Sequence, residues 1–142
     1  MKNIKKWELA YIAGFFDGEG YIALLKKKYN KGNIRSIYIN KKGERVIHRE
    51  KKDRHVMILW ATITQNTCRD KVLYWIEAKL RSVDINCKVY VQRKMPNGES
   101  LSKFLIIRKG NVNKFIQLIY PYIIAKKEQV DKVMKLYQEE IK

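Results

Sequence analysis

The chain has 142 residues, 46% of them apolar, with two cysteines and a formal net charge of +17. This is the size of one domain, 1–142, with enough apolar material for a core; no run of about 18 apolar residues could span a bilayer, and the lysine-rich start lacks the apolar stretch of a secretory signal. The charge points to a polyanionic partner, nucleic acid above all, rather than to a membrane or a small-molecule substrate.

The first element, Trp7 to Gly18, has the pattern of an apolar helix. Leu9, Ile12, Phe15 and Phe16 give it a core face. Ala10, Ala13, Gly14 and Asp17 fall at i, i+3, i+4 and i+7, a stripe of small residues on which a second helix can come close. The helix ends in Asp17-Gly18-Glu19-Gly20. Acids oppose the partial negative charge of a helix C-terminus, where Lys or Arg is favoured. The glycines stop the helix and allow close backbone approach. Carboxylates together with the carbonyls freed at a helix end suit a hard cation.

Tyr21 to Lys28 reads as a strand. Ile34 to Ile39 and Arg45 to His48 read as strand extensions or a hairpin flap, broken at Lys42-Gly43. Between Lys26 and His55 there are twelve Lys or Arg against three acids, interleaved with Tyr29, Asn30, Asn33, Tyr38 and Asn40, side chains that can bond to phosphates and base edges. Val56 to Gln65 is the second main strand, apolar on both faces. Arg69 to Ser82 is helical, with Val72, Leu73, Ile76 and Leu80 on one side. Lys88 to Lys94 and Lys103 to Ile107 are strands joined by a turn at Pro96-Asn97-Gly98. Val112 to Ile119 is a short helix interrupted by Pro121, and Lys126 to Ile141 is a final amphipathic helix. The order is αββαββαα, an α+β chain with one copy of the acidic motif. Cys68 and Cys87 lack metal-ligand spacing and read as reduced thiols of an intracellular protein, cytoplasmic or in an organelle matrix. His48 and His55, the only histidines, have no Cys partners and no histidine-metal nuclease spacing; contact with DNA or plain exposure is their reading.

Ile12-Ala13-Gly14-Phe15-Phe16-Asp17-Gly18-Glu19-Gly20, preceded by Leu9-Ala10-Tyr11, resembles the motif of the LAGLIDADG homing endonucleases. The resemblance implies helices on one face of a curved antiparallel sheet, with the other face in the major groove of double-stranded DNA. It implies metal-dependent phosphodiester hydrolysis with Mg2+, Mn2+ being a possible substitute. Glu19 stands at the motif's metal position, where Asp is more usual, with the Gly18 carbonyl as backbone ligand. Asp17 reads chiefly as structural. Ile63-Thr64-Gln65-Asn66-Thr67 matches the family's segment at the end of the second strand and places Gln65 in the catalytic shell, where its amide can hold a water. Arg69, opening the next helix, can steady a phosphate. Lys126 stands at the family's basic position before the last helix, which places it in the catalytic shell, where it can stabilise charge or tune a water network.

One acidic set per chain implies a homodimer, so that both strands of a pseudo-palindromic target can be cut. Ala10, Ala13, Gly14 and Asp17 would then form the dimer seam. For the sheet, Ile22 and Leu24 suit the core, and Ala23, Leu25, Lys27 and Tyr29 the DNA. By motif register Ile58, Trp60, Thr62 and Thr64 face DNA. Tyr90, Gln92 and Lys94 alternate with Val89 and Val91. Phe104 and Ile106 suit the core, leaving Lys103 and Leu105 outward. Arg35, Lys41 and Lys42 complete the expected DNA contacts. An RNA-splicing maturase or a non-catalytic DNA-binding regulator of the same fold are the competing functions; retention of Glu19 favours the nuclease.

Overall fold

The computed structural model describes residues 3–65, 69–94, 100–108 and 110–140. In chain order the elements are α1 (Lys6–Glu19), β1 (Gly20–Tyr29), β2 (Ile34–Ile39), β3 (Arg45–Arg49), β4 (Arg54–Gln65), α2 (Lys71–Arg81), β5 (Cys87–Lys94), β6 (Ser100–Arg108), α3 (Gly110–Ile119), a 3-10 turn (Tyr120–Tyr122) and α4 (Lys127–Glu140). The expected αββαββαα order is present, with β2 and β3 forming a separate two-stranded sheet between the first two main strands. No helix among the described residues is long and apolar enough to cross a membrane. The chain packs as two compact units, Met1–Leu24 with Leu59–Lys142, and Leu25–Ile58.

The main sheet has the order β1-β4-β6-β5, with all of β5 and β6, residues 20–24 of β1 and residues 59–65 of β4 in the larger unit. β6 pairs antiparallel with both β4 and β5. Leu59, Ala61, Ile63, Cys87, Leu105 and Ile107 come from the strands and are buried. Against them pack Ile12 and Phe16 of α1, Leu73, Ile76 and Leu80 of α2, and Val112, Phe115 and Ile119 of α3. The Phe16 and Phe115 rings meet edge-on, 5.5 Å between centroids, the geometry that the charge distribution of two aromatic rings favours. Burial in this core pushes the Cys87 thiol up to about 11, which suits an inert structural residue.

Along β4 Leu59, Ala61 and Ile63 are core residues, as the expected parity requires, but Thr62, expected outward on the DNA, is buried as well. The phase expected for β6 is corrected. Leu105 is fully buried instead of outward, because it pairs with Ile63, as Ile107 pairs with Ala61, and directly paired residues share a face. The side chains of Lys103, Phe104 and Ile106 lie outside the described residues, as do those of Gln92 and Lys94, and as does the turn expected at Pro96-Asn97-Gly98. In β1, Ile22 is buried as expected, but so is Ala23; its methyl sits between the larger Tyr21 and Leu25 on the same face, and these are the exposed ones.

The junction between α1 and β1 has no loop. Gly20 is extended, φ −89° and ψ 162°, and its N–H donates to the Phe16 carbonyl. A Cβ at Gly20 would run into the ring and the carbonyl oxygen of Phe16, whereas one at Gly14 or Gly18 would meet nothing within 4 Å. Gly20 is therefore the glycine that the break requires, and Gly18 is an open position inside the helix. Gly20→Ala should destabilise the chain by about 1–3 kcal/mol, because the obstruction includes backbone as well as a buried ring. Urea unfolding checks this; an unchanged midpoint would mean that the helix end shifts freely.

The smaller unit, Leu25–Ile58, is built around the β2–β3 hairpin. At its tip Asn40 Oδ1 accepts from the N–H groups of Lys42 and Glu44 (3.0 and 2.9 Å), and Gly43 takes the positive φ of 78° that the turn needs. At its base the buried Glu50 holds Arg54 through two 2.9 Å bonds. The Arg54 guanidinium lies 4.4 Å from the Tyr29 ring centroid. Lys31 N–H donates to Asp53 Oδ1 at 2.7 Å. A bidentate Arg–carboxylate pair with one partner buried is stronger than an exposed ion pair, and it holds this base together.

Candidate functional site

α1 turns one face to its own core and leaves the other uncovered. Trp7, Tyr11, Gly14 and Gly18 are exposed and fall at i, i+4, i+7 and i+11, a heptad-like stripe with Ala10 beside it. Trp7 is 62% and Tyr11 50% exposed, unusual for aromatics on a helix that packs on one side only. Trp75 of α2 joins them: its ring stacks on Trp7 at 6.4 Å and meets Tyr11 edge-on at 5.5 Å.

This corrects the seam expected from the sequence. Ala13 is fully buried in the core and cannot face a second helix. Asp17 is half-buried and engaged elsewhere in its own chain. The small residues that remain available are Ala10, Gly14 and Gly18. The aromatic part of the stripe was missed, although the spacing of Trp7 and Tyr11 ahead of Gly14 and Gly18 carries it.

An open cleft of about 480 Å³ runs along this face, lined by Ala10, Tyr11, Gly14, Phe15, Gly18, Glu19 and Gln65. It brings together the exposed carboxylate at the end of α1 and the amide at the end of β4, two residues that the sequence places 46 positions apart (65 − 19). Glu19 is the last residue of α1, and no basic residue occupies that last turn. Its charge therefore opposes the helix dipole, which costs about 0.3–1 kcal/mol at an exposed site. Glu19, the Gly18 carbonyl in the last turn and Gln65 offer only oxygen donors, apart from the amide nitrogen. This set fits a hard divalent cation that takes its other ligands from water or phosphate. Among the described residues no three His, Cys, Asp or Glu converge.

Behind the cleft, α1 is tied to the start of α4. Asp17 Oδ2 accepts from the N–H groups of Ile124 (2.6 Å) and Ala125 (3.3 Å), and Oδ1 accepts from that of Lys126 (3.1 Å). Lys126 Nζ in turn donates to the Asp17 carbonyl at 2.6 Å. Lys126 is thus not a lining side chain of the cleft; it donates to a carbonyl of the last α1 turn, next to Gly18 and Glu19. Partial burial raises the Asp17 carboxyl, but the three N–H groups and the Lys126 charge outweigh it, so the pKa lies below the usual value.

Asp17→Ala should cost about 1–3 kcal/mol, as expected for loss of a charged cap. The folded-state pKa is depressed, so this contribution is present above the unfolded carboxyl pKa, near 3.9, and is lost as pH falls through the folded value. Urea unfolding against pH should show the parent and variant converging in acid. A constant gap would show that the carboxylate is not what holds α4.

The remaining expected contacts are distributed as follows. Trp60 and Thr64 are half-buried and Thr62 buried, and the Trp60 indole N–H is buried without a hydrogen-bond partner. Tyr90 is 38% exposed, with the Lys88 ammonium 5.3 Å from its ring centroid. Arg69 is exposed just before α2. In the smaller unit Lys27, Arg35, Lys41 and Lys42 are exposed, and Tyr29 is half-buried beneath Arg54. An open cavity of about 700 Å³ in that unit is lined by Arg35, His48, Arg49, Lys51, Lys52 and Arg54 among others.

No protein-family model matches the chain, and no curated protein does. Solved structures do. The homing endonuclease I-CvuI in complex with its target, in the presence of 2 mM Ca, is 18% identical with a TM-score of 0.57, over 93% of this chain and 66% of that one. The homing endonuclease I-TnaI is 20% identical with a TM-score of 0.55, over 94% and 71%. The LAGLIDADG meganuclease I-CpaMI bound to uncleaved DNA is 16% identical with a TM-score of 0.58, over 93% of this chain but 37% of that one. The chain spans about two thirds of the I-CvuI chain and well under half of I-CpaMI. At these identities the likeness is one of fold: the chain has the LAGLIDADG homing-endonuclease fold.

Proposed function

We propose that this chain, with the fold of the LAGLIDADG homing endonucleases, is one subunit of a homodimeric endonuclease that makes a site-specific double-strand break in duplex DNA. The observation that carries this reading is the cleft in which Glu19, Gly18 and Gln65 meet beside the uncovered small-residue face of α1. The net charge of +17 supports a DNA partner, and so do the neighbours of the same fold that are DNA complexes.

In this reading Glu19 and the Gly18 carbonyl hold Mg2+, with Mn2+ as a substitute. When bound, the cation supplies charge neutralisation at the phosphate and an activated water. Gln65 would hold a water through its amide. Lys126 holds the last turn of α1 so that Glu19 and Gly18 keep their places, and Arg69 steadies a phosphate. Two chains present two such sets, one per strand, which calls for a long pseudo-palindromic target. Such an enzyme works where the DNA is, in the cytoplasm or an organelle matrix.

The test is incubation of the purified chain with duplex DNA carrying the insertion site of its own gene, with Mg2+ or with EDTA. The expected result is one double-strand cut per target, abolished by the chelator. Binding without cutting in any divalent cation would favour the regulator, and selective binding of intron RNA would favour the maturase.

A further inference from the structure

The β2–β3 hairpin has no core of its own, and its two faces differ. Ile37 pairs with Ile47 and Ile39 with Arg45, and, beyond a bulge between Ile34 and Ser36, Ile34 pairs with Arg49; opposed residues of an antiparallel ladder share a face. Ile34, Ile37, Ile39 and Ile47 therefore lie on one side with Arg45 and Arg49. These four isoleucines are 50%, 48%, 73% and 40% exposed. On the other side Tyr38 stacks on His48 at 5.3 Å, and Tyr38 Oη lies 3.1 Å from His48 Nε2, so those polar groups are engaged with each other. Both faces are open, Tyr38 being 48% exposed, and the isoleucine face is the apolar one.

We propose that this face reads thymine-rich duplex DNA, with the isoleucine side chains against thymine C5-methyl groups and Arg45 beside them on the DNA. It rests on the DNA reading above, and adds to it a second reading element and its base preference. The occupant follows from charge and shape. The unit has twelve Lys or Arg against three acids, so a second copy of it is repelled and a polyanion attracted. A two-stranded ribbon fits the major groove, about 12 Å wide, and the thymine methyl is the one apolar group that the bases present there. Lys41 and Lys42 sit in the hairpin turn, positioned for phosphates.

The test uses the full chain and a random-sequence duplex library. The selected site is resynthesised with deoxyuridine for thymidine, one symmetric pair of positions at a time, which removes only the methyl group. Binding should weaken about threefold to tenfold at the pairs read by the ribbon. The double variant Ile37→Ser/Ile39→Ser should bind the thymidine site as weakly as the parent binds the deoxyuridine site, and should no longer distinguish the two. Should that variant lose cooperative unfolding, Ile39→Ser alone, at the most exposed position, repeats the comparison. A parent indifferent to deoxyuridine at every position, or variants that keep the parent's discrimination, would overturn the proposal. So would variants that reduce self-association while leaving DNA binding intact, since the face would then belong to a second copy. A chain that selects no duplex fails at the first step, before any hairpin variant is made, and overturns the DNA reading along with this one.

Discussion

Glu19→Gln should remove cleavage activity while leaving the fold and DNA affinity near those of the parent. The change keeps the size of the side chain and deletes the charge that would hold the cation. Metal neutralisation at a reacting phosphate is worth several kcal/mol; a loss of about 4 kcal/mol is about a thousandfold in rate. Stability should not fall with it. Glu19 is exposed at a helix C-terminus with no basic residue of α1 in that turn, so removing its charge relieves the dipole conflict, and the Lys126 ammonium on the Asp17 carbonyl keeps the gain below about 1 kcal/mol. A residue serving the fold would lose both on substitution. An inactive protein at least as stable as the parent would show that the carboxylate is kept for its chemistry. Single-turnover cleavage and urea unfolding on the same preparation decide it; normal cleavage by the variant would sink the assignment.

The end of α1 was legible because it violates a local rule: acids stand where the helix dipole favours bases, and a glycine sits at the break. Element order was legible for the ordinary reason that periodicity changes at each boundary. Strand phase was harder. Phe104-Leu105-Ile106-Ile107 is apolar at every position, so alternation alone cannot choose a face, and the choice is made by pairing with Ala61 and Ile63. β4 is equally ambiguous by pattern; motif register offers a parity that Leu59, Ala61 and Ile63 follow and the buried Thr62 does not.

The small-residue stripe was displaced for a related reason. Ala13 and Gly14 are adjacent and alike in size, yet about 100° apart around the helix, and local sequence does not say which faces the core. The exposed Trp7 and Tyr11 mark the outer face, but large aromatics are usually counted as core. The clamp on α4 left no local trace at all. Asp17 and the Ile124 N–H it accepts from are 107 positions apart, and only the folded chain brings them together. Its consequence is nevertheless functional in kind, since it fixes the turn from which Gly18 and Glu19 project.

Gly14→Leu should separate the subunits. In the single chain Gly14 is exposed and a Cβ there meets nothing within 4 Å, so a side chain starts out into open space. Replacing a helical glycine should even favour the helix, by about 0.5–1 kcal/mol. The fold should therefore survive the change, and because Gly14 also lines the cleft with Glu19 and Gln65, sedimentation rather than cleavage reads the effect on the dimer. If a second α1 crosses the Ala10–Gly14–Gly18 face, the new side chain stands between two backbones that only small residues let approach closely. Sedimentation should show monomer at concentrations where the parent is dimeric. Double-strand cleavage should be lost with the dimer, because one chain carries only one acidic set. Ala13→Leu provides the contrast: Ala13 is fully buried, so the larger residue should lower stability by about 1–3 kcal/mol by overfilling the core. A Gly14→Leu protein that stays dimeric and active would move the interface to another surface, and a parent that is monomeric at every concentration would remove the dimer from the mechanism.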